Sequence, residues 1–487
     1  MFLNNPQKTM KMDRRRFLQN SFVMMGAACL DLPTFAQEVK ALGAPKLRIG
    51  ILSDIHITGK ENTDVFQHAL EYFRDQDVDG VLMAGDLADW GFDYQLQEVA
   101  NTWYRVFPKD KANGHKVEKL FIYGNHDIDA YAWGVGQQHG MSDEDCKREA
   151  IGLHREKTWK KCFKEDFKPV YMKTVKGYHF IGGHWQNGNN MPGLKELLDA
   201  NREKLSDGKP FFYFQHPHLR YTCNGDDVWG HDGGETTQLL SQFPNAVAFS
   251  GHSHMPLGDD RDLWQGAFTS IGTSSLSYQC LIGARENTLL DGERRKVPSQ
   301  MPNMPTSNGK QGMLMCVYDN CITLERREFV YDQNVADNWI IPLPLGKGEP
   351  LSFANRARTA KVPEFGANDK VTITRAVGKD RYGEEQPQVT VHFPSVLKKT
   401  HGVRAFDYEV QVEYKYVDLT LITATKHVLS KGNFLGEAQD TEEVVCVYGE
   451  KELPDFHEMR FIVRPCECYG KKGKPIFSEW FKKSTDK

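Results

Sequence analysis

Five short apolar runs in the first two thirds of the chain, at residues 47–52, 81–84, 120–123, 210–214 and 246–249, each lead into aspartate, asparagine or histidine. The residues that follow read Ser53-Asp54-Ile55-His56, Gly85-Asp86, Gly124-Asn125-His126-Asp127, Gln215-His216 and Gly251-His252-Ser253-His254. Between the runs, Val65, Phe66, Ala69, Leu70 and Phe73 recur at helical spacing, as do Leu96, Val99, Trp103 and Val106, so each segment offers one apolar face to a sheet. Short apolar strands alternating with such helices predict an α/β layered domain over residues 45–345. Open sheets of this kind bind ligands at the carboxyl ends of their strands, where side chains converge without being covered by the helical layers. Five strand ends therefore deliver their polar side chains to one crevice.

Asp54, Asp86 and Asn125 with His56, His216, His252 and His254 make a mixed oxygen and nitrogen donor set, suited to Zn, Fe or Mn rather than to a calcium cage or a thiolate site. Seven donors are too many for one ion. One carboxylate shared between two ions gives each four protein ligands and leaves room for a bridging hydroxide, an arrangement that serves phosphate-ester hydrolysis. Each piece alone has an ordinary explanation: Asp86 as a helix cap, His216 as a hydrogen-bonded core histidine, residues 251–254 as a polar turn. Their joint appearance in order, each after an apolar strand, carries the reading.

With this pattern the chain resembles the calcineurin-like metallophosphoesterases, whose motifs run Asp-x-His, Gly-Asp, Gly-Asn-His-Asp/Glu, His and Gly-His-x-His. The resemblance implies an α+β fold, a four-layer α/β/β/α sandwich of mixed sheets. It implies a first transition metal on Asp54, His56, Asp86 and His254, and a second on Asp86, Asn125, His216 and His252, with Asp86 bridging. His126 would be catalytic, stabilising the transition state or protonating the leaving alkoxide while a metal-bridging hydroxide attacks phosphorus in line, and Asp127 would orient it. Two departures narrow the family. Purple acid phosphatases carry a tyrosine ligand three residues after the bridging aspartate, where this chain has Asp89. Periplasmic 5′-nucleotidases extend Gly-Asn-His as Glu-Phe-Asp, where this chain reads Asp127-Ile128-Asp129.

Residues 1–36 read as an address. Lys8, Lys11 and Arg14-Arg15-Arg16-Phe17-Leu18 precede an apolar stretch at 22–30 and the small-x-small site Thr34-Phe35-Ala36. The Arg-Arg-x-Phe-Leu core resembles a twin-arginine export signal, although Asp13 and Gln19 depart from it, and the ordinary secretory route and a lipid anchor on Cys29 stay open. The expected location is the periplasm, the cell envelope or the exterior. The leader carries five cations against Asp13 and Asp31, a net +3, so the formal charge of -4 for 487 residues becomes -7 for the chain from Gln37. An acidic chain has no basic field for nucleic acid, and no later segment reaches the ~18 apolar residues of a membrane span. A small phosphate ester is the expected partner; the oligomeric state is unknown.

Substrate choice is expected from insertions. Residues 129–168 hold Tyr131, Trp133 and Trp159, and His184-Trp185-Gln186-Asn187 follow a strand at 178–181. These could wall the metals, but packing beneath loops is the preferred reading for Trp133 and Trp185. His218, Arg220 and His231 read as solvated loop residues, and polar residues 284–312, with Arg294-Arg295-Lys296 and prolines 298, 302 and 305, as a rim or flap. A Pro/Gly segment at 342–350 reads as a linker.

Over residues 355–487 the apolar pattern changes to period two, at Val389, Val391 and Phe393, at Tyr408, Val410, Val412, Tyr414 and Tyr416, and at Met459, Phe461 and Val463, predicting an all-β sandwich. Residues 460–480 resemble the closing strands of a fibronectin type III-like domain. No chemical constellation is evident there, so a spacer or docking role is expected. Of ten cysteines nine remain after the leader, and buried free thiols are preferred over pairing of Cys316 with Cys321 or of Cys446 with Cys466 or Cys468. Two function classes follow: an exported dimetal phosphoesterase acting on a phosphate mono- or diester, or a non-catalytic metal- or glycan-binding envelope protein that retains the fold.

Overall fold

The computed structural model describes residues 43–186, 190–224, 230–280, 299–300, 309–380, 382–455 and 457–483. The chain divides into two units, Met1–Ala44 and Pro45–Lys487, and all the elements below belong to the second. The leader with Cys29, the Arg294-Arg295-Lys296 run, prolines 298, 302 and 305, and Asn187 lie outside the described residues.

Among the described residues two mixed sheets carry the predicted strand ends. In the first, β1 (Leu47–Leu52), β2 (Gly80–Met83) and β3 (Glu118–Phe121) run parallel. The second contains β4 (Val170–Val175), β5 (Tyr178–Gly183), β6 (Phe211–Gln215), β7 (Ala246–Ser250), β8 (Leu263–Gln265) and β9 (Thr269–Gly272), in the order β8-β9-β7-β6-β5-β4, with β5, β6, β7 and β9 parallel. The hairpin β10 (Gln311–Val317) and β11 (Cys321–Glu328) closes the first sheet by pairing antiparallel to β1, and β12 (Trp339–Pro342) pairs with β11.

Three buried clusters explain why these segments take these forms. Ile49, Ile51, Leu82 and Leu120 of the first sheet pack with Phe180, Phe212, Val247 and Phe249 of the second in one core. Residues on the other face of the first sheet, Val81, Met83 and Phe121, join Phe66, Leu70 and Phe73 of α1 (Asp64–Asp75) and Leu96, Val99 and Trp103 of α2 (Asp93–Val106). Leu194 and Leu240 cover the far face of the second sheet at Tyr213 and Ala248. Strands buried on both faces need continuous apolar runs, and helices buried on one face need the i, i+3, i+4 spacing that both show. A fully buried Phe or Leu contributes roughly 1.5–3 kcal/mol, so these faces rather than local propensity hold the elements in place.

Beyond Pro342 the strands are antiparallel. β13 (Thr372–Lys379), β14 (Glu385–Pro394) and β17 (Glu443–Gly449) form one sheet. β15 (Asp407–Tyr416), β16 (Leu419–Leu429) and β18 (Glu458–Cys466) form the centre of another, to which Ser299–Gln300 adds alongside β16. Val389, Val391, Phe393, Tyr408, Val410, Val412, Met459, Phe461 and Val463 share one core. The period-two pattern fails at Tyr416, which is half-exposed because the β15–β16 hairpin runs past its partners; β15 and β18 pair only as far as Tyr414. The nine cysteines of the described residues are free, seven of them buried. The linker segment is not extended: Leu343, Leu345 and Leu351 pack against the core between the first two sheets.

A last cluster bears on the site. Met255, next to His254, is buried among Phe353, Phe406, Leu429, Leu435, Cys468 and Tyr469, all of them beyond residue 350. Arg404 Nη2 donates to the carbonyl of Gly258 at 3.5 Å, and the Arg261 guanidinium lies 5.0 Å from the Phe406 ring.

Candidate metal centre

The carboxyl ends of β1, β2, β3, β6 and β7 meet, and backbone hydrogen bonds tie them together after the strands end. Asp54 N–H donates to Gly85 O at 3.0 Å, Ile55 and His56 N–H to Asp86 O at 2.9 and 3.0 Å, Gly251 N–H to His216 O at 3.1 Å, and Leu276 N–H to Ser53 O at 3.1 Å. Five of the seven metal-type residues sit in the left-handed region: Asp54 (φ 51°), His56 (50°), Asp86 (51°), His252 (68°) and His254 (52°). Such a backbone costs on the order of 1 kcal/mol or more per non-glycine residue, and strain of this kind collects where side-chain aim matters more than stability. Gly85, at φ 97°, is required for a second reason: a Cβ there would stand 2.6 Å from His216 Nδ1.

All seven side chains come together. Asp54, His56 and His254 offer donor atoms within 4.8 Å of one another, and so do Asp86, His216 and His252. Asp86 stands between the two groups, its Oδ2 3.8 Å from His56 Nε2 and 3.0 Å from His216 Nε2. Asn125 Oδ1 is 2.9 Å from His216 Nε2. Asp54, Asp86 and His216 are buried completely or nearly so.

The imidazole tautomers decide what this cluster suits. His216 Nδ1 lies 2.8 Å from Ala84 O and His254 Nδ1 2.9 Å from Tyr278 O. A carbonyl only accepts, so both Nδ1 atoms carry hydrogen. His56 Nδ1 lies 2.7 Å from Asp89 Oδ1, which fixes it likewise. Every one of these rings then turns Nε2 inward, and Nε2 of His56 faces Nε2 of His254 at 3.3 Å. Two inward lone pairs beside two buried carboxylates need a cation between them, and imidazoles anchored through Nδ1 are the usual form of a histidine metal ligand. The donor set fits two transition ions, with Asp54, His56 and His254 on one side, Asn125, His216 and His252 on the other, and Asp86 between.

Electrostatics in the protein alone follow the same geometry. Burial raises the Asp54 carboxyl but His254 outweighs it, and the net value falls to about 2. Burial disfavours charge on His216, yet Asp86 lifts it to about 9. His252, beside His216, is pushed down to about 3 by burial and by that neighbour.

His126 is the more open histidine, 25% exposed, with its ring edge-on to that of His56 at 4.5 Å. Its backbone N–H donates to Asp86 Oδ1 at 2.9 Å, and its Nδ1 is 2.7 Å from Asp89 O and 3.3 Å from Asp89 Oδ1. Burial opposes its charge, but Asp86 and Asp89 raise it to about 10.

Here the structure departs from expectation. Asp127 makes no contact with the His126 ring; it accepts from the backbone N–H of Leu87 (3.2 Å), Ala88 (2.7 Å) and Gly124 (2.7 Å), joining the turns after β2 and β3. Asp89 is the residue that orients His126, and His56 with it. Its only sequence signal was an acid at the third position after Gly85-Asp86.

Residues 47–256 match the calcineurin-like phosphoesterase family. The matched segment ends two residues past His254, so it contains the whole cluster. No curated protein sequence matches the chain. Among solved structures it is similar to a predicted phosphoesterase from Streptococcus pneumoniae, with 12% identity over 61% of this chain and 97% of that one and a TM-score of 0.27. It is similar also to the Plasmodium inner membrane complex anchor GAP50, with 12% identity, 62% and 90% coverage and a TM-score of 0.36. For vacuolar protein sorting 29 of Cryptosporidium parvum the values are 9%, 62%, 98% and 0.28.

Around this candidate centre the aromatic residues divide. Trp185 is buried as expected, with Nε1 donating to Asp129 Oδ2 at 2.6 Å and its ring 6.0 Å from that of His252. Trp159 is core, edge-on to His184 at 4.6 Å. Trp133 does not pack beneath a loop: it is 49% exposed and meets the His126 ring at 4.9 Å. On the opposite flank Tyr278, 42% exposed, lies 4.3 Å from His254. His218 is fully buried rather than solvated, its Nε2 3.1 Å from Cys223 O. A further departure lies in the C-terminal strands, where Asp407, His427 and Cys466 bring donor atoms within 4.8 Å, all buried. They come from three strands, and none stands out in its own stretch of sequence.

Among the described residues no helix is long and apolar enough to cross a membrane.

Proposed function

We propose that this chain is an exported, dimetal phosphoester hydrolase, with a helix/sheet/sheet/helix catalytic domain over 45–345 and a fibronectin-like sandwich over 355–487. The observation that carries the enzymatic reading is the inward convergence of Nε2 atoms, each ring anchored through Nδ1, around Asp54 and Asp86. Export rests on the leader sequence alone.

Bound there, two transition ions would neutralise the phosphoryl oxygens and acidify a water. Asp54, His56 and His254 would hold one ion, Asn125, His216 and His252 the other, and Asp86 both. His126 would act on the ester. With Nδ1 committed to Asp89, its Nε2 is the ring nitrogen left to meet a phosphoryl or leaving oxygen, and the charge favoured by Asp86 and Asp89 lets it donate a proton to the departing alkoxide. Asp127 would hold the turns that carry Asp86 and His126.

Metal analysis beside turnover of a chromogenic phosphate ester tests this. We expect about two transition ions per chain and turnover with Mn, Zn or Fe. His126→Ala should lower kcat by about 10²-fold or more with both ions retained. Metal content near zero, or no turnover with any of the three, would sink the enzymatic reading in favour of a binding protein; loss of an ion in His126→Ala would recast that residue as a ligand.

A further inference from the structure

We propose that the cleft beside the metal centre receives a flat aromatic ring on the organic side of the phosphoester. The inference rests on reading the centre as a phosphoesterase site and names the class of ester it takes.

A cavity of about 340 Å³ opens next to the cluster, lined by Ile128, Asp129, Tyr131, Trp133, Leu153 and Arg155 among others. Two of its lining residues link it to the centre. Trp133 is one wall of the cavity and touches His126; Asp129 is another and holds the indole of Trp185, whose ring lies beside His252. A phosphoryl group at the metals with its leaving oxygen near His126 therefore extends its organic part along Trp133.

The lining says what that part is. Trp133 and Leu153 are 49% and 51% exposed, two large apolar side chains turned to solvent on one cleft. The indole meets the His126 ring at 86°, a contact that covers at most one of its faces. An aromatic face of this kind is best covered by another ring, which gains both area and stacking. The volume holds a nucleoside-sized group and excludes a folded polypeptide. Arg155 borders both this cavity and an adjoining open one of about 670 Å³ whose rim carries His154, Lys157 and Lys160 beside a single Glu156, a charge balance that suits an anionic small molecule.

Two ester pairs isolate the ring, because the members of each share a primary alkoxide leaving group. Adenosine 5′-phosphate is compared with ribose 5-phosphate, and 2-phenylethyl phosphate with butyl phosphate. Stacking on one aromatic side chain predicts kcat/KM higher by about 10-fold for the ring-bearing member. A preference in both pairs assigns any aromatic ring; a preference in the first pair alone assigns a nucleobase. Trp133→Ala and Leu153→Ala should each bring the ratio within about threefold of one, whatever happens to the absolute rates. Ratios near one in the unaltered protein, or ratios that persist in both variants, would overturn the proposal while leaving the phosphoesterase reading intact. If none of the four monoesters turns over, calorimetric binding of adenosine 5′-phosphate against ribose 5-phosphate tests the cleft, about 10-fold tighter binding supporting it and equal affinity overturning it, and the phosphoesterase reading fails only if a chromogenic diester is left intact as well.

Discussion

Asp89 offers the sharpest test of how the centre is built. Its Oδ1 accepts from His56 Nδ1 at 2.7 Å, and His56 is 3% exposed. In Asp89→Ala the imidazole N–H is left buried without that acceptor, which costs about 1–3 kcal/mol, and the ring loses its anchor. Set against an ion held by Asp54, His56, His254 and Asp86, this predicts a loss of about 10–100-fold in affinity for that ion, the usual range for removing the partner of a ligating histidine. Asp89→Asn keeps an oxygen acceptor but not the charge, so its loss should be near the lower end. The ion on Asn125, His216 and His252 depends on a different anchor, the Ala84 carbonyl 2.8 Å from His216 Nδ1, and should change by no more than about threefold. His126 should keep its orientation in both variants, because its Nδ1 is held at 2.7 Å by the Asp89 carbonyl, which no substitution removes. Manganese titration of the dialysed protein against a competing fluorescent chelator, with metal counts by mass spectrometry, separates the two ions. Wild-type affinity for both in Asp89→Ala, or equal loss of both, would refute this account of the carboxylate.

Two further perturbations reach the centre from outside. Met255→Ala should destabilise the chain by about 2–4 kcal/mol, as a buried large-to-small change does, and should speed metal release because Met255 ties the His252–His254 turn to Phe406, Leu429 and Leu435; a fall in urea midpoint with unchanged metal release would show that the C-terminal strands do not support the turn. His184 is pushed down to about 3 by burial and by Lys173 and Arg155, and its Nδ1 accepts the Tyr123 N–H at 3.0 Å, so it folds neutral. The unfolded chain therefore takes up this proton first, and stability present above about pH 6.5 is lost as pH falls towards 3. Between pH 7 and pH 5 the loss from this group is about 2 kcal/mol, read as the difference in urea-derived stability between the protein and His184→Phe, whose curve should be flatter; parallel curves would exclude the effect.

Much of the architecture around the candidate centre was legible along the chain. The runs 47–52, 81–84, 120–123, 210–214 and 246–249 became parallel strands, and the helical faces of Phe66, Leu70, Leu96 and Trp103 became core. Periodicity reports which face of an element is buried, and a polar residue at a strand's end escapes that burial, so the seven metal-type residues could be picked out one strand at a time. Contacts that depend on two elements meeting were not legible. Asp127 directly follows His126 and Asp89 lies 37 positions before it, yet the turn geometry after β2 and β3 sends Asp127 to the backbone and brings Asp89 to the ring. Trp133 and Trp185 look alike in sequence, yet one is buried behind His252 and the other stands in solvent beside His126. Asp407, His427 and Cys466 meet only through the register of β15 with β16 and β18.

The amino-acid order thus determined the type of donor, its number and its place at the strand ends, because those follow from local patterning of apolar and polar residues. Tertiary structure alone decided the aim of each imidazole, through acceptors as distant as Ala84 for His216 and Tyr278 for His254, and the support of the His254 turn by strands from beyond residue 350. A ring nitrogen's direction is set by whichever acceptor lies across from it, and what lies across is a property of packing, which no single stretch of chain contains.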